Sequence, residues 1–159
     1  MDKLLELVEE NPRLTNAEMA VMLGMMEHEV EQQIRLYEKT GVIKGYRAIL
    51  DREKSSAETV TALIEIKVHP KFGHGFDEVA QTIAKFEEVE SVYLMSGAYD
   101  LCCLVTDKSF HEVAMFVASR LSPLDSVLST ATHFILKRFK DQGVMFSDNL
   151  KDDRRNISF

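Results

Sequence analysis

The sequence has few cysteines and no long apolar run. Its only two cysteines, Cys102 and Cys103, are adjacent, which matches no metal-binding or redox spacing. We interpret them as packing residues, because free cysteine is usually buried. No apolar run approaches the roughly 20 residues that a membrane helix needs. Because Met1-Asp2-Lys3 also does not open a secretory signal, we expect a cytoplasmic protein with no membrane partner.

Positive charge is also scarce. The formal net charge of the 159 residues is -7, which argues against unspecific attraction to nucleic acid. Any DNA binding must therefore depend on a local patch. With 45% hydrophobic residues, the chain can build one domain core or two small ones.

Residues 1–50 have helical periodicity. Leu4, Leu5 and Val8 predict a first helix, and the Thr15/Glu18 capping box begins a second. The second helix is predicted to bury Ala17, Ala20 and Val21, and the third to bury Met26, Val30, Ile34 and Tyr37. Residues 42–50 then have an extended pattern. Three helices followed by a small strand element predict a winged helix-turn-helix domain over residues 1–50.

The third predicted helix has a polar face opposite its apolar one. The candidate DNA contacts on this face are His28, Gln32, Arg35 and Lys39, and the candidates in the wing are Lys44 and Arg47. Glu27, Glu29 and Glu31 flank the stripe, so an ordinary solvated helix face is the alternative interpretation. Residues 1–50 carry six Lys and Arg against nine Asp and Glu, a net charge of -3. We therefore expect a symmetric dimer or larger homo-oligomer that adds half-sites on double-stranded DNA.

After a polar linker at residues 51–59, the pattern changes to strand, helix, strand, strand, helix, strand. This order over residues 60–140 predicts a ferredoxin-like βαββαβ domain, with a four-stranded antiparallel sheet and two helices on one face. The fold class is thus α+β. Residues 141–159 are interpreted as a C-terminal tail. Met95, Leu101, Cys103 and Phe134 are expected on the open face of the sheet, where a second subunit would cover them.

Residues 89–106 predict a hairpin with an unusual turn. Gly97 is expected to supply a positive φ and to let backbone approach a ligand, and Asp100 follows just beyond the turn. The alternative is a purely structural turn, in which Gly97 only bends the chain and Asp100 caps backbone donors.

In motif order the chain resembles the leucine-responsive and asparagine-responsive (Lrp/AsnC, feast/famine) regulator family over residues 3–140. The motifs are Leu14-Thr15-Asn16-Ala17-Glu18-Met19-Ala20, Leu23-Gly24, Gly41-Val42-Ile43-Lys44-Gly45-Tyr46, Ser96-Gly97-Ala98-Tyr99-Asp100, and Thr130-Ala131-Thr132 before Lys137. The resemblance implies a transcription regulator with a second domain of the RAM or ACT type for amino-acid sensing and assembly. It also implies dimers that associate into octamers and bind a small-molecule effector between dimers.

Carried over by position, the resemblance places the effector site at Gly97, Tyr99, Asp100, Thr130 and Thr132. Asp100 can pair with an α-ammonium, while glycine backbone and threonine hydroxyls can satisfy a carboxylate. The threonines are equally typical of plain strand formers. Two departures from the family pattern concern DNA binding. Met26 stands where a serine cap is usual, and Gln32-Gln33 stands where a basic pair is common.

The sequence also bears on two other function classes. We see no converging acid, base or metal groups that would make this chain an enzyme, and we expect no cofactor. His69 and His74 lack a third metal ligand at a useful spacing. The stronger alternative is a metabolite-binding assembly protein of the same fold whose specific DNA binding is weak or lost.

Overall fold

The structure, a computed structural model, describes residues 2–56, 58–69 and 75–146. The chain divides into two compact units, with the boundary between Ile49 and Leu50. The first unit contains helices α1 (Lys3–Glu10), α2 (Asn16–Leu23) and α3 (Glu27–Thr40). The elements of the second unit are β1 (Val60–Val68), α4 (Asp77–Ile83), β2 (Val89–Leu94), β3 (Leu101–Asp107), α5 (Phe110–Phe116), β4 (Val127–Phe134), β5 (Lys140–Asp141) and β6 (Val144–Met145).

Side-chain caps and left-handed glycines set the helix bounds in the first unit. The Thr15 hydroxyl accepts from the Glu18 N–H at the start of α2, and the Glu18 carboxylate accepts from the Thr15 N–H, which completes the predicted capping box. Gly24 and Gly41 end α2 and α3 at φ values of 66° and 73°, a conformation that favours glycine. The three helices therefore form as predicted.

The core of the first unit corrects part of the predicted burial. The buried residues of this core are Leu4, Val8, Met19, Ala20, Val30 and Tyr37. Ala17 and Val21 are exposed instead, and Met19 takes their place, because the short α2 is apolar on all sides and its pattern fixes no single face. Met26 is 65% exposed because it caps α3 from outside the helix.

The predicted wing strand is not present among residues 42–50. These residues follow α3 without regular secondary structure. An extended segment needs a partner strand for its backbone groups, and the described part of the first unit offers none. The helix-turn-helix part of the prediction is confirmed, but this single chain does not form the wing.

The second unit has the predicted ferredoxin-like topology. Its four-stranded sheet has the order β2-β3-β1-β4, and every neighbouring pair is antiparallel. The central strand β1 places Ala62, Ile64, Ile66 and Val68 on the face that α4 and α5 cover. After α5 the chain continues as one π-helical turn, Val117–Leu121, which buries Leu121.

Strand register corrects the expected open face of the sheet. Leu101 pairs with Ile66, Cys103 with Ile64, and Phe134 with Ala62. Paired residues share a face, so all three lie on the helix-covered side rather than the open side. Because β3 is apolar on both faces, alternation alone could not tell which side is covered. The open face instead carries a mixed set from the four strands: Thr61, Leu63, Glu65, Tyr93, Cys102, Leu104, Thr106, Ala131 and His133.

The segments before and after the sheet are more ordered than a linker and a tail. Arg52–Lys54 forms one 3-10 turn in the second unit, begun by the Asp51 carboxylate. Asp141, expected to begin the tail, belongs to a small hairpin in which β5 pairs with β6. The remainder of the expected tail, residues 147–159, lies outside the described residues. Within the described ranges, no helix is long and apolar enough to cross a membrane.

A polar contact ties the start of the first unit to α3. The Asp2 carboxylate accepts from the Leu4 N–H at 2.9 Å, which caps α1, and also from the Tyr37 hydroxyl of α3. The Tyr37 hydrogen bond, followed by the one from Leu4, holds the pKa of Asp2 below its ordinary value.

We expect Tyr37→Phe to lower the thermal midpoint of the first unit by about 5 °C at neutral pH, because one hydrogen bond to a charged group is lost. Since the folded-state pKa of Asp2 is lowered, its contribution is present above the unfolded-state pKa and is lost as the pH falls through the folded pKa. The difference between wild type and Tyr37→Phe should therefore shrink below about pH 4. Circular dichroism melts measure this difference. If the difference in thermal midpoint were the same at pH 3 and pH 7, the charged hydrogen bond could not be its source.

Candidate functional site

Helix α3 presents the predicted polar stripe to solvent. His28, Gln32, Arg35 and Lys39 recur at intervals of four, three and four residues, and all are exposed. The opposite face buries Val30 and Tyr37. Packing of that apolar face thus fixes the direction of the stripe, which can donate hydrogen bonds to base edges and phosphates.

Three of the glutamates around the stripe are held in local hydrogen bonds. Glu31 Oε1 lies 2.5 Å from Arg35 Nη2, one helical turn away, although the Arg35 side chain is 74% exposed. Glu29 Oε2 accepts from the Met26 N–H at 2.9 Å, which is the carboxylate half of a capping box, while the Met26 side chain makes no cap hydrogen bond. Glu38 Oε1 accepts from the Tyr46 hydroxyl at 3.0 Å. Only the first of these contacts competes directly with DNA for a cation.

The two basic candidates after α3 are placed differently. The Lys44 side chain folds back over Gly41, so that its Nζ would lie 2.8 Å from a Cβ at that position. The ammonium therefore lies near the C-terminal end of α3, where the helix dipole favours a positive charge. Arg47 is exposed. Lys44 would have to leave this position before it could contact a phosphate.

Asp100 clamps the hairpin turn to the end of β1. Its Oδ2 accepts from the Val68 N–H at 2.9 Å, its own N–H donates to the Ile66 carbonyl at 3.1 Å, and its carbonyl accepts from the Met95 N–H at 2.8 Å. These contacts match the backbone-capping alternative for Asp100. One carboxylate oxygen is committed to backbone, which leaves the charge and the second oxygen for any ligand.

The turn itself differs from the prediction at Gly97. The positive-φ residues of the described chain include Gly24, Gly41, Gly75 and Gly143 but not Gly97. A Cβ on Gly97 would meet no atom within 4 Å. The chain therefore does not need glycine there for its own turn, because residues 95–98 stand exposed beyond the sheet.

The five predicted effector residues do not share one face of the sheet. Tyr99 lies close to Cys102 and Glu65 of the open face. Partial burial and then these two neighbours raise the pKa of the Tyr99 hydroxyl. Thr130 pairs with Ile66 and Thr132 with Ile64, which places both threonines on the helix-covered face. Gly97 and Asp100 lie at the end of the hairpin.

Sequence reasoning missed a polar pair on the open face. Glu65 Oε1 lies 3.3 Å from His133 Nε2, and both side chains are partly exposed. Glu65 lies on β1 and His133 on the neighbouring strand β4. They are diagonal neighbours on one face, since Glu65 pairs with Ala131 and Leu63 pairs with His133. Only the register brings them together, so single-strand alternation contained no signal for the pair. The signal for the Glu31–Arg35 contact was present in their four-residue spacing.

The chemistry of the other candidates is limited. Burial raises the pKa of the Cys103 thiol to about 12, and burial also raises that of Cys102. Both are therefore neutral packing groups at physiological pH. His69 is exposed, and His74 lies outside the described residues. In residues 2–56, 58–69 and 75–146 there is no group of three His, Cys, Asp or Glu side chains that could hold a metal ion.

The two units together define a helix-turn-helix protein with a ferredoxin-like second domain. The family model of the Lrp/AsnC ligand binding domain matches residues 61–145, which is more than half of the chain. The chain therefore belongs to the Lrp/AsnC family, whose members are transcription regulators rather than enzymes.

A similar relative is the uncharacterized HTH-type transcriptional regulator YugG of Bacillus subtilis. It is 49% identical over 156 residues, which cover 98% of this chain and 93% of the relative. Among solved structures, a Neisseria meningitidis transcriptional regulator in complex with L-Met matches with a TM-score of 0.72 and 23% identity, covering 94% of each chain. Escherichia coli AsnC matches with a TM-score of 0.67 and 20% identity, covering 87% of this chain and 93% of that one. At these identities the two structures show the fold.

Proposed function

We propose that this protein is a sequence-specific DNA-binding transcription regulator whose assembly and DNA occupancy respond to an amino acid or a related small metabolite. The observation that carries the DNA-binding part is the exposed stripe of His28, Gln32, Arg35 and Lys39 on α3. The family membership supports the regulatory part.

The stripe has the dimensions and donors for a major groove. From His28 to Lys39 it rises about 16 Å along the helix, at 1.5 Å per residue. Gln32 can make paired hydrogen bonds to adenine, and Arg35 can bind guanine or a phosphate. To bind DNA, Arg35 must first break its contact with Glu31. The free energy gained from the Arg35–DNA contact is reduced by this loss. Affinity from one copy of α3 is therefore low, and two symmetric copies on successive grooves are needed.

A homodimer would also cover the open face of the sheet. The open face includes Leu63, Leu104, Tyr93 and Ala131 among its polar residues, and its counterpart on a second copy offers the same set. Burial of this face against a second copy would remove its apolar area from water. Association of dimers into octamers is the further assembly step that we propose from the family.

The effector is proposed to bind at the hairpin turn between dimers. Asp100 would pair with the α-ammonium of an amino acid, and the exposed turn around Gly97 would accept backbone or side chain from the neighbouring dimer. Tyr99 is the remaining candidate beside Asp100, whereas Thr130 and Thr132 lie on the helix-covered face of β4 and do not belong to the proposed site. The Neisseria relative was solved with L-Met, which supports an amino acid as the ligand class. An effector that binds one assembly better than another shifts the assembly equilibrium and thus DNA occupancy.

A second candidate function is an assembly protein that binds a metabolite without binding specific DNA. The Glu31–Arg35 contact and the net charge of -3 in residues 1–50 favour it. The two functions differ in what happens when Arg35 is released from Glu31. Release strengthens DNA binding beyond the effect of removing one negative charge only if Arg35 contacts the DNA.

We expect Arg35→Ala to weaken binding to DNA from the region upstream of the protein's own coding sequence by about tenfold or more, because a charged contact is lost. Glu31→Gln should strengthen binding several-fold at low salt, since it frees Arg35 and removes a negative charge. Fluorescence anisotropy with labelled duplex measures both affinities. Arg13→Ala and Glu9→Gln change the same charges at exposed positions away from the stripe and serve as controls. If each variant matched its control, the assembly-only function would be favoured.

Asp100→Asn should abolish the response of assembly to amino acids while keeping the fold. The asparagine oxygen can still accept from the Val68 N–H, but the charge that pairs with an α-ammonium is gone. Light scattering with and without a panel of amino acids measures the response. Asp100→Ala is the comparison variant, because it removes the backbone clamp as well and should also lower the thermal midpoint. A full amino-acid response in Asp100→Asn would place the effector elsewhere.

A further inference from the structure

A groove in the second unit lies where the 3-10 turn meets the beginning of β1. Its volume is about 180 Å³, and its lining includes Arg52, Thr59, Thr61, Lys137, Arg138 and Phe146. Ile135, which also lines it, donates its N–H to the Thr61 carbonyl at 2.9 Å, so the floor is a continuation of the β1–β4 ladder. The groove is therefore supported by regular secondary structure.

This groove is separate from the proposed effector site. The Asp100 clamp holds the C-terminal end of β1 at Ile66 and Val68, whereas the groove begins at Thr61. Ile66 follows Thr61 by five positions along the strand, which corresponds to about 17 Å. One small molecule cannot contact both.

The cations around the groove differ in whether they have a carboxylate partner. Arg52 Nη2 lies 3.1 Å from Glu90 Oε1, and Arg138 Nη1 lies 3.5 Å from Asp141 Oδ2. The Lys137 ammonium lies 5.2 Å from the centre of the Phe139 ring and has no carboxylate partner in the described part of the chain. Lys137 is thus the cation most available to an anion.

The two carboxylates of the lining differ in their contacts. Asp51 Oδ1 accepts from the Glu53 N–H at 3.1 Å, and its Oδ2 lies 3.7 Å from Lys54 Nζ. Glu53 is exposed on the rim. Of the three cations of the lining, Arg52 and Arg138 are already paired with Glu90 and Asp141, so Lys137 carries the charge that favours a negative ligand.

A hydroxyl in the lining has no hydrogen-bond partner. Thr59 Oγ1 is buried and unpaired among the described residues, whereas Thr61 Oγ1 shares a 2.9 Å hydrogen bond with Thr106 Oγ1. Buried polar atoms almost always have a partner, and an exception needs an explanation. Because Thr59 Oγ1 is closed off from solvent, a ligand that accepts from it would turn the Thr59 side chain toward the groove and supply the missing partner.

We propose that this groove binds a small carboxylate with a short apolar chain. The carboxylate accepts from the Lys137 ammonium and the Thr59 hydroxyl, and the apolar chain packs against Ile135, Leu136 and Phe146. The volume equals that of about six water molecules, which limits the ligand to a small metabolite. Because Asp51 is engaged, the site does not require an α-ammonium, and this distinguishes its ligand from an amino acid.

Calorimetric titration of the full-length chain with isocaproate at low salt tests the site. We expect Lys137→Gln and Thr59→Val each to weaken binding by about tenfold, the loss expected for one charged or buried hydrogen bond. Thr59→Val keeps the side-chain shape and should leave the thermal midpoint unchanged or raised, so weakened binding would not come from unfolding. Lys85→Gln removes the same charge from an exposed position outside the lining and should bind normally. Isocaproamide, which lacks the charge, should not bind to the wild type.

The result that overturns the site is absence of isocaproate binding, or binding that both Lys137→Gln and Thr59→Val leave unchanged. Asp100→Asn should bind isocaproate as the wild type does. If Asp100→Asn alone abolished binding, isocaproate would occupy the hairpin site and the groove proposal would be wrong. The outcome does not depend on DNA binding, so the groove proposal and the proposed regulatory function can fail independently.

Discussion

The second unit depends on the burial of strand β1. Ala62, Ile64 and Ile66 are fully buried under α4 and α5, and the strand pairs with β3 on one side and β4 on the other. Each fully buried aliphatic side chain contributes about 1.5–3 kcal/mol of hydrophobic stabilisation relative to an exposed one. Because β1 is central, its two ends also organise the candidate sites: Asp100 binds its C-terminal end, and the groove lies at its N-terminal end. A register shift in β1 would therefore alter both sites together.

Charge sets a corresponding constraint on the first unit. An acidic domain can bind DNA only where its geometry shields the carboxylates from the phosphates. On α3 this is achieved in part by local hydrogen bonds, since Glu29 caps the helix and Glu38 binds Tyr46. Glu31 is the exception because it holds Arg35. This exchange makes each contact weak and gives a physical reason for a symmetric assembly, in which weak contacts add.

The sequence predicted the helices, the succession of strands and helices along the chain, and the polar stripe, because each depends on local periodicity. The Thr15/Glu18 capping box and the alternation along β1 are signals of this kind. It did not predict which face of β3 is covered, because Leu101–Val105 is apolar on both faces and only pairing with β1 decides. A bulge between Val89 and Ser91 similarly interrupts the alternation of side chains along β2. The Glu65–His133 pair and the lining of the groove depend on residues distant in sequence, which no local pattern reports. The predicted wing strand did not form for a related reason, since residues 42–50 have no partner strand among the described residues.

The proposal as a whole depends on paired recognition helices that bind DNA in a fixed register. Hydroxyl-radical footprinting of the DNA upstream of the protein's own coding sequence, at low salt, tests this most directly. Two helices related by symmetry should protect one face of the duplex at intervals of about 10 base pairs, and Arg35→Ala should remove the protection. Uniform protection, or none at concentrations where the protein is assembled, would contradict sequence-specific binding and leave the metabolite-binding assembly as the function of the fold.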